Sequence, residues 1–212
     1  ETVLRVDVAN HEFVLARDRS GKVDFHPGFP HAYRAPLRLI TVAPEIHGHL
    51  ELVRALSAAG IRVQVGHTSG SYEDGLAALE HGAAGFTHLF NAMPGLHHRD
   101  PGMVGAALAH AHYAEIIPDL LHVHPGAIKV ALRSIPHLFC VTDSTAAAGM
   151  PDGEYSLGRH RVVKCMGGVR LPDGTLAGST LTMDQALRNL VGLGLELDDA
   201  SRRVSTYAAD YL

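Results

Sequence analysis

From Leu37 onward the chain alternates short apolar runs with stretches in which apolar residues recur every three or four positions. The run LRLITVA (37–43) suits a buried parallel strand. Pro44 and Glu45 then open a predicted helix, with Leu50, Val53 and Leu56 on one face and Gly60 as its stop. IRVQVG (61–66) predicts a strand ending at His67, and Ser71 with Asp74 begins a helix that Gly82 ends. GFTH (85–88) predicts a short strand ending at His88. YAEIIP (113–118) and HLFCVT (137–142) predict two more strands, with a helix from Pro125 to Ser134 between them. The segment from Tyr155 to Gly174 reads as β-hairpins, and helices are predicted from Thr182 to Leu193 and from Asp198 onward.

Strands and helices alternating at this spacing predict an α/β fold with a parallel sheet. Residues 1–36 follow another pattern. Val3 to Val8 and Glu12 to Leu15 read as antiparallel strands, Arg17 to Gly21 as a turn, and HPGFPHAYRAP (26–36) as a loop. The chain therefore divides into an N-terminal β segment with its loop (1–36) and a β/α region (37–212). At 212 residues it falls short of the ~250 typical of a complete eight-fold β/α barrel.

Composition narrows the class. Hydrophobic residues at 46% and charged residues at 19% describe a globular chain with an ordinary core. A net charge of -4 with no Lys/Arg cluster argues against a nucleic-acid partner. No apolar run approaches the ~20 residues of a membrane span, and ETVLRVDVAN lacks a signal-peptide pattern, so a cytoplasmic protein is expected. Cys140 and Cys165 are too few for a disulfide framework or a thiolate metal site and read as reduced thiols.

Sixteen histidines stand against eighteen Lys plus Arg, so their positions carry the chemical argument. In parallel α/β folds functional groups gather at the carboxyl ends of strands. His67, His88 and Asp143 each directly follow an apolar run. Neutral imidazole is a common zinc ligand, and a carboxylate at a neighbouring strand end is placed to move a proton. Each residue also has a plainer reading. A histidine at a strand end can simply be a hydrogen-bonded loop residue, and Asp143, followed by Ser144 and Thr145, can cap a helix. Spacing alone leaves both open.

Longer strings add a family. GHTSGSYEDGLAALEHGAAGFTHLFNAMPGLHHRDPG (66–102) and LFCVTDSTAAAGMPDG (138–153) closely resemble the N-acetylglucosamine-6-phosphate deacetylase family of the amidohydrolase superfamily. TVAPE (41–45), LLHVHP (120–125) and TLAGSTLTMDQALRNLV (175–191) match the same family. The resemblance implies an incomplete (β/α)8 TIM-type barrel of the amidohydrolase type, with residues 1–36 belonging to the small β-domain that accompanies it. It implies removal of the acetyl group of N-acetylglucosamine 6-phosphate in a homodimer holding one divalent ion per subunit, expected to be zinc. The histidines of GHT and THLFNAM, here His67 and His88, become metal ligands, and the aspartate of VTD, here Asp143, the general acid/base. Asn91 and Ala92 line the sugar-phosphate site, Arg99 of HHRDPG holds the phosphate, and His122 of LHV contacts substrate near the scissile amide. Leu176, Ala177 and Gly178 of TLAGS face the acetamido end. Without the resemblance Arg99 reads as an ordinary exposed arginine.

The chain departs from the family in three places. The HLEGP motif, whose glutamate completes the metal site, is absent, as is the HG-containing segment of the first barrel strand. Pro118 and Leu120 replace the outer residues of the usual ADG ahead of LHV. The chain is then either a piece of a longer protein or has lost about three strands. Two competing readings follow. Another amidohydrolase, such as a cyclic amidase or a deaminase, would not need Arg99 or the NAM string. A truncated, non-catalytic sugar-phosphate-binding remnant fits the missing metal ligands, and the retention of every matched polar group from His67 to Asp143 opposes it.

Overall fold

The computed structural model describes residues 38–158 and 160–212, together with the backbone of three strands near the N-terminus. Those strands are β1 (Thr2–Val8), β2 (His11–Arg17) and β3 (Val23–Phe25), an antiparallel sheet in the order β1-β2-β3. Thr2 pairs with Arg17 and Val8 with His11, so the two predicted N-terminal strands form one hairpin. The predicted turn after Arg17 and the loop at 26–36 lie outside the described residues.

The α/β expectation holds. β4 (Leu39–Val42), β5 (Arg62–Val65), β6 (Gly85–Phe86), β7 (Tyr113–Ile116) and β8 (His137–Cys140) form a five-stranded sheet in chain order. Its registered pairs are parallel. A helix lies between each pair of consecutive strands: α1 (His49–Ala58), α2 (Tyr72–Glu80), α3 (Gly102–His110) and α4 (Pro125–Ser134). After β8 come the antiparallel strands β9 (Gly153–Leu157), β10 (His160–Cys165) and β11 (Gly168–Arg170), as the hairpin pattern predicts. Helices α5 (Met183–Gly192), α6 (Leu197–Arg203) and α7 (Thr206–Tyr211) end the chain.

The chain forms two compact units. One comprises residues 1–85, 92–106 and 212, and the other residues 86–91 and 107–211. In the first, α1 packs on β5, and Leu52, Val53 and Leu56 of the helix and Val63 and Val65 of the strand are buried. Ser71 and Asp74 make the predicted capping box at the start of α2, Ser71 N donating to Asp74 Oδ2 at 2.8 Å. Gly60 (φ 79°) and Gly82 (φ 103°) follow α1 and α2 in the left-handed conformation that a helix stop requires. In the second unit α6 and α7 pack on β8, where Arg203 donates from Nη1 to Leu138 O at 3.0 Å.

Strand β3 is additional to the expected pair, the helix expected from Asp198 onward is broken into α6 and α7, and two further elements differ from expectation. The first helix begins at His49, not at Pro44, because Glu45 is drawn away to residues 68 and 69 and Gly48 turns the chain at φ 81°. Helix α3 has no counterpart in the sequence pattern. Its sequence GMVGAALAH has no polar face and therefore no amphipathic signal. Met103, Val104, Ala106 and Ala107 are all buried, and Gly75 of α2 makes room for Met103 and Ala106. A Cβ there would lie 2.7 Å from Ala106 Cβ and 2.8 Å from Met103 Sδ.

Both cysteines are free, as expected. Burial pushes the Cys140 thiol up to about 12, although Arg203 draws it down, so it stays protonated and unreactive at neutral pH.

Candidate active site

Strands β5, β6 and β8 each run into a loop whose early residue adopts a left-handed backbone. His67 has φ 48°, His88 φ 29° and Asp143 φ 49°. A non-glycine residue at positive φ is uncommon and costs about 1–3 kcal/mol, a strain that concentrates at functional sites. The three residues selected from sequence for metal and proton chemistry therefore share one unusual conformation at one kind of place. Ala92 (φ 50°) and Leu120 (φ 66°), beside other candidate residues, adopt it as well.

In the first unit His67 is exposed and lines a cleft of about 470 Å³ with Thr68, Ser69, Ala92, Met93 and Pro94. Thr68 N donates to Ala92 O at 3.0 Å, which ties the two loops together. Glu45 holds the segment that follows His67. Its Oε2 accepts from Thr68 Oγ1 at 2.5 Å and its Oε1 from Ser69 N at 2.7 Å. Arg99 is exposed in a turn closed by backbone bonds between His97 and Asp100, and its Nη1 donates to His98 Nε2 at 2.7 Å.

In the second unit His88 is buried, and its backbone N–H lies 3.4 Å from Glu115 Oε2. Asn91 closes the same loop: its backbone N and Nδ2 donate to His88 O at 3.0 and 3.2 Å. Asp143 starts no helix, which removes the capping alternative. Its backbone O accepts from Ser179 N at 2.7 Å, and Thr145 N donates back to Ser179 O at 3.0 Å. Ser144 Oγ donates to Leu181 O at 2.5 Å, so residues 142–145 and 178–181 form a strap that leaves the Asp143 carboxyl exposed. Leu176 and Ala177 run beside β11, where Ala177 N donates to Val169 O at 2.9 Å.

His122 follows β7 in a tight turn. Its Nδ1 donates to Asp119 Oδ2 at 2.6 Å, while Asp119 Oδ1 accepts from the backbone N–H groups of Leu121 and His122 at 2.9 and 2.8 Å. Burial raises the Asp119 pKa, but these hydrogen bonds outweigh it and hold the carboxyl below its ordinary value. A depressed carboxyl pKa contributes stability that is present at neutral pH and is lost as pH falls through the lowered value.

No protein-family model matches the chain. Individual proteins do. It is 48% identical over 153 residues to the N-acetylglucosamine-6-phosphate deacetylase of Vibrio furnissii, covering 71% of this chain and 38% of that one. It is 41% identical over 179 residues to the N-acetylgalactosamine-6-phosphate deacetylase of Escherichia coli O157:H7, covering 83% and 48%. The solved structure of the Pasteurella multocida N-acetylglucosamine-6-phosphate deacetylase matches with a TM-score of 0.78 at 35% identity, covering 82% and 46%. The chain is a relative of the amino-sugar-phosphate deacetylases. The resemblance read from its motifs is borne out, and the chain spans less than half the length of these relatives. A mutant of the Mycobacterium smegmatis deacetylase, solved with N-acetyl-D-glucosamine-6-phosphate, matches with a TM-score of 0.75 at 36% identity, covering 80% and 46%.

Set beside this family, each unit gathers its own share of the candidate residues. The first holds His67 with Ala92, and Arg99 in its own turn. The second holds His88 with Asn91, Asp143 with Gly178, and Leu176 with the His122 turn, because Gly168 lies against both Leu121 and Leu176. Among the described residues no three His, Cys, Asp or Glu side chains are grouped to hold a metal ion. Reading the sequence missed Asp119 and the clamp made by Glu45. The first has a local signal, a carboxylate three residues before a histidine. The second has none, since its partners lie 23 and 24 residues away.

Gly178 offers a test of the strap. Its φ is 72°, and a Cβ would lie 2.6 Å from Thr145 Cγ2 and 3.1 Å from the Asp143 carbonyl oxygen. Gly178→Ala should destabilise the protein by about 2 kcal/mol, since left-handed backbone costs a side-chain residue ~1–2 kcal/mol before any clash. A lower urea midpoint at unchanged m-value is the expected result. An unchanged midpoint means the strap yields freely.

Proposed function

We propose that the chain carries part of the active site of a metal-dependent deacetylase that hydrolyses N-acetylglucosamine 6-phosphate to glucosamine 6-phosphate and acetate. The observation that carries this reading is the shared left-handed backbone of His67, His88 and Asp143 at the ends of β5, β6 and β8. The parallel sheet is read as part of an incomplete (β/α)8 barrel, with residues 1–36 drawn from the small β-domain of such enzymes. The reading includes a cytoplasmic homodimer with one zinc ion per subunit.

His67 and His88 are the proposed ligands, and two imidazoles suit a borderline divalent cation. The donor set is incomplete among the described residues. The ion, when bound, supplies Lewis acidity at the acetamide carbonyl. Asp143 takes the proton of the attacking water and returns it to the departing nitrogen as the C–N bond breaks, leaving acetate and a free amine. Leu176, Ala177 and Gly178 border the acetyl group, Asn91 and Ala92 the sugar phosphate. His122 contacts the substrate near the amide.

Arg99 is assigned the phosphate. A guanidinium forms two parallel bonds to a phosphate, and charge-assisted bonds are about twice as strong as neutral ones. Arg99→Ala should lower kcat/KM for the 6-phosphorylated sugar by roughly 10- to 100-fold and change turnover of unphosphorylated N-acetylglucosamine little. Equal loss on both substrates removes the phosphate assignment. The 41% identity to an N-acetylgalactosamine-6-phosphate deacetylase makes the C4 epimer the second candidate substrate. Acetate release from the two sugar phosphates, measured side by side, separates them, and release from neither overturns the function.

A further inference from the structure

We infer that Asp119 is a positioning residue that sets the tautomer of His122: it keeps the proton on Nδ1 and presents Nε2 to the substrate. The inference rests on the proposed contact between His122 and the sugar, and adds to it the residue that makes the contact specific.

The turn that joins them is over-determined. Pro118 is buried, and its carbonyl accepts from Asn189 Nδ2 of α5 at 2.8 Å, which anchors the start of the turn to a helix. Leu120 then takes φ 66°. That unfavourable conformation folds the chain back on itself, so that the carboxylate at 119 reaches both the backbone and the ring at 122. Three donors converge on it: Leu121 N, His122 N and His122 Nδ1, at 2.9, 2.8 and 2.6 Å. Both side chains are largely withdrawn from water, at 6% exposure for His122 and 7% for Asp119.

The chemistry follows from the carboxylate. A group receiving three hydrogen bonds is held in its charged form, and an ionised carboxylate has no proton to donate. The proton of the Nδ1 contact therefore belongs to the imidazole. In the neutral ring Nε2 is then a lone-pair acceptor for a hydroxyl or amide N–H of the sugar. Which nitrogen of a histidine is protonated depends on the bond made by the other, and the carboxylate decides it here.

Asp119→Asn inverts this arrangement. Oδ1 of the asparagine can still accept from the two backbone N–H groups, which turns its NH₂ toward Nδ1. Nδ1 must then accept, and the proton moves to Nε2. The test is the ¹⁵N spectrum of the protein labelled in its histidines, with the His122 signals assigned by their loss in His122→Gln. The wild-type ring should show a protonated Nδ1 and an unprotonated Nε2, and Asp119→Asn the reverse. Turnover of N-acetylglucosamine 6-phosphate should fall at least 100-fold in Asp119→Asn, and Asp119→Glu should recover part of it. A His122 tautomer unchanged in Asp119→Asn overturns the inference, whatever happens to activity. A reversed tautomer with undiminished turnover overturns its catalytic half. Wild-type turnover in His122→Gln is a different failure, since it removes His122 from the substrate site and with it the proposed role on which the inference rests.

Discussion

Asp143→Asn should lower kcat for N-acetylglucosamine 6-phosphate by roughly 10²–10⁴, the usual contribution of a positioned acid/base, and should leave metal content near that of the unaltered protein. Asparagine is the informative replacement. It keeps the size of the side chain and tolerates the left-handed backbone at φ 49°. The strap that holds this residue uses its carbonyl oxygen, which accepts from Ser179 N, and not its carboxyl. The carboxyl is exposed, so the substitution leaves no buried group without a partner. Only the ability to take and return a proton is lost. The measurement is steady-state acetate release together with metal content and the thermal midpoint of the same preparation. Near-normal kcat would show that Asp143 shapes the loop and does no proton chemistry.

His88→Ala should remove the proposed divalent ion, expected at up to one per chain in the unaltered protein, and should abolish detectable turnover. Because His88 is buried at the end of β6, its loss also leaves a void. His67→Ala is therefore the companion experiment. His67 is exposed beside an open cleft, and its removal costs little packing. Metal analysis of the purified proteins should show the ion lost from both variants, with a well-folded His67→Ala chain. A chelator should lower the thermal midpoint of the unaltered protein and leave both variants unmoved, since an ion that binds only the folded state stabilises it. Metal content unchanged in both variants removes His67 and His88 as ligands.

Much of this protein is legible from its sequence, for a local reason. Strand ends, helix caps and hairpins depend on residues a few positions apart. The run of βα units, the Ser71–Asp74 capping box, the stops at Gly60 and Gly82 and the β9–β11 hairpins all follow from such short-range patterns. The placement of His67, His88 and Asp143 after strands is of the same kind, and the long motif strings supplied the family. Tertiary structure decided what depends on distant partners. Helix α1 starts late because Glu45 is taken up by Thr68 and Ser69, more than 20 residues on. Helix α3, apolar on every side, is a helix because it is buried, and Gly75 is the residue that admits it. Asp143 escapes helix capping because residues 178–181, over 30 positions away, claim its backbone. The Asp119–His122 pair lies between these cases: its spacing is visible in sequence, but only the left-handed turn at Leu120 brings the carboxylate onto the ring. A hydrogen bond leaves a mark in the local pattern only when both partners lie within a turn of one another, and the bonds from Glu45 to Thr68 and Ser69 and from Ser179 to Asp143 do not.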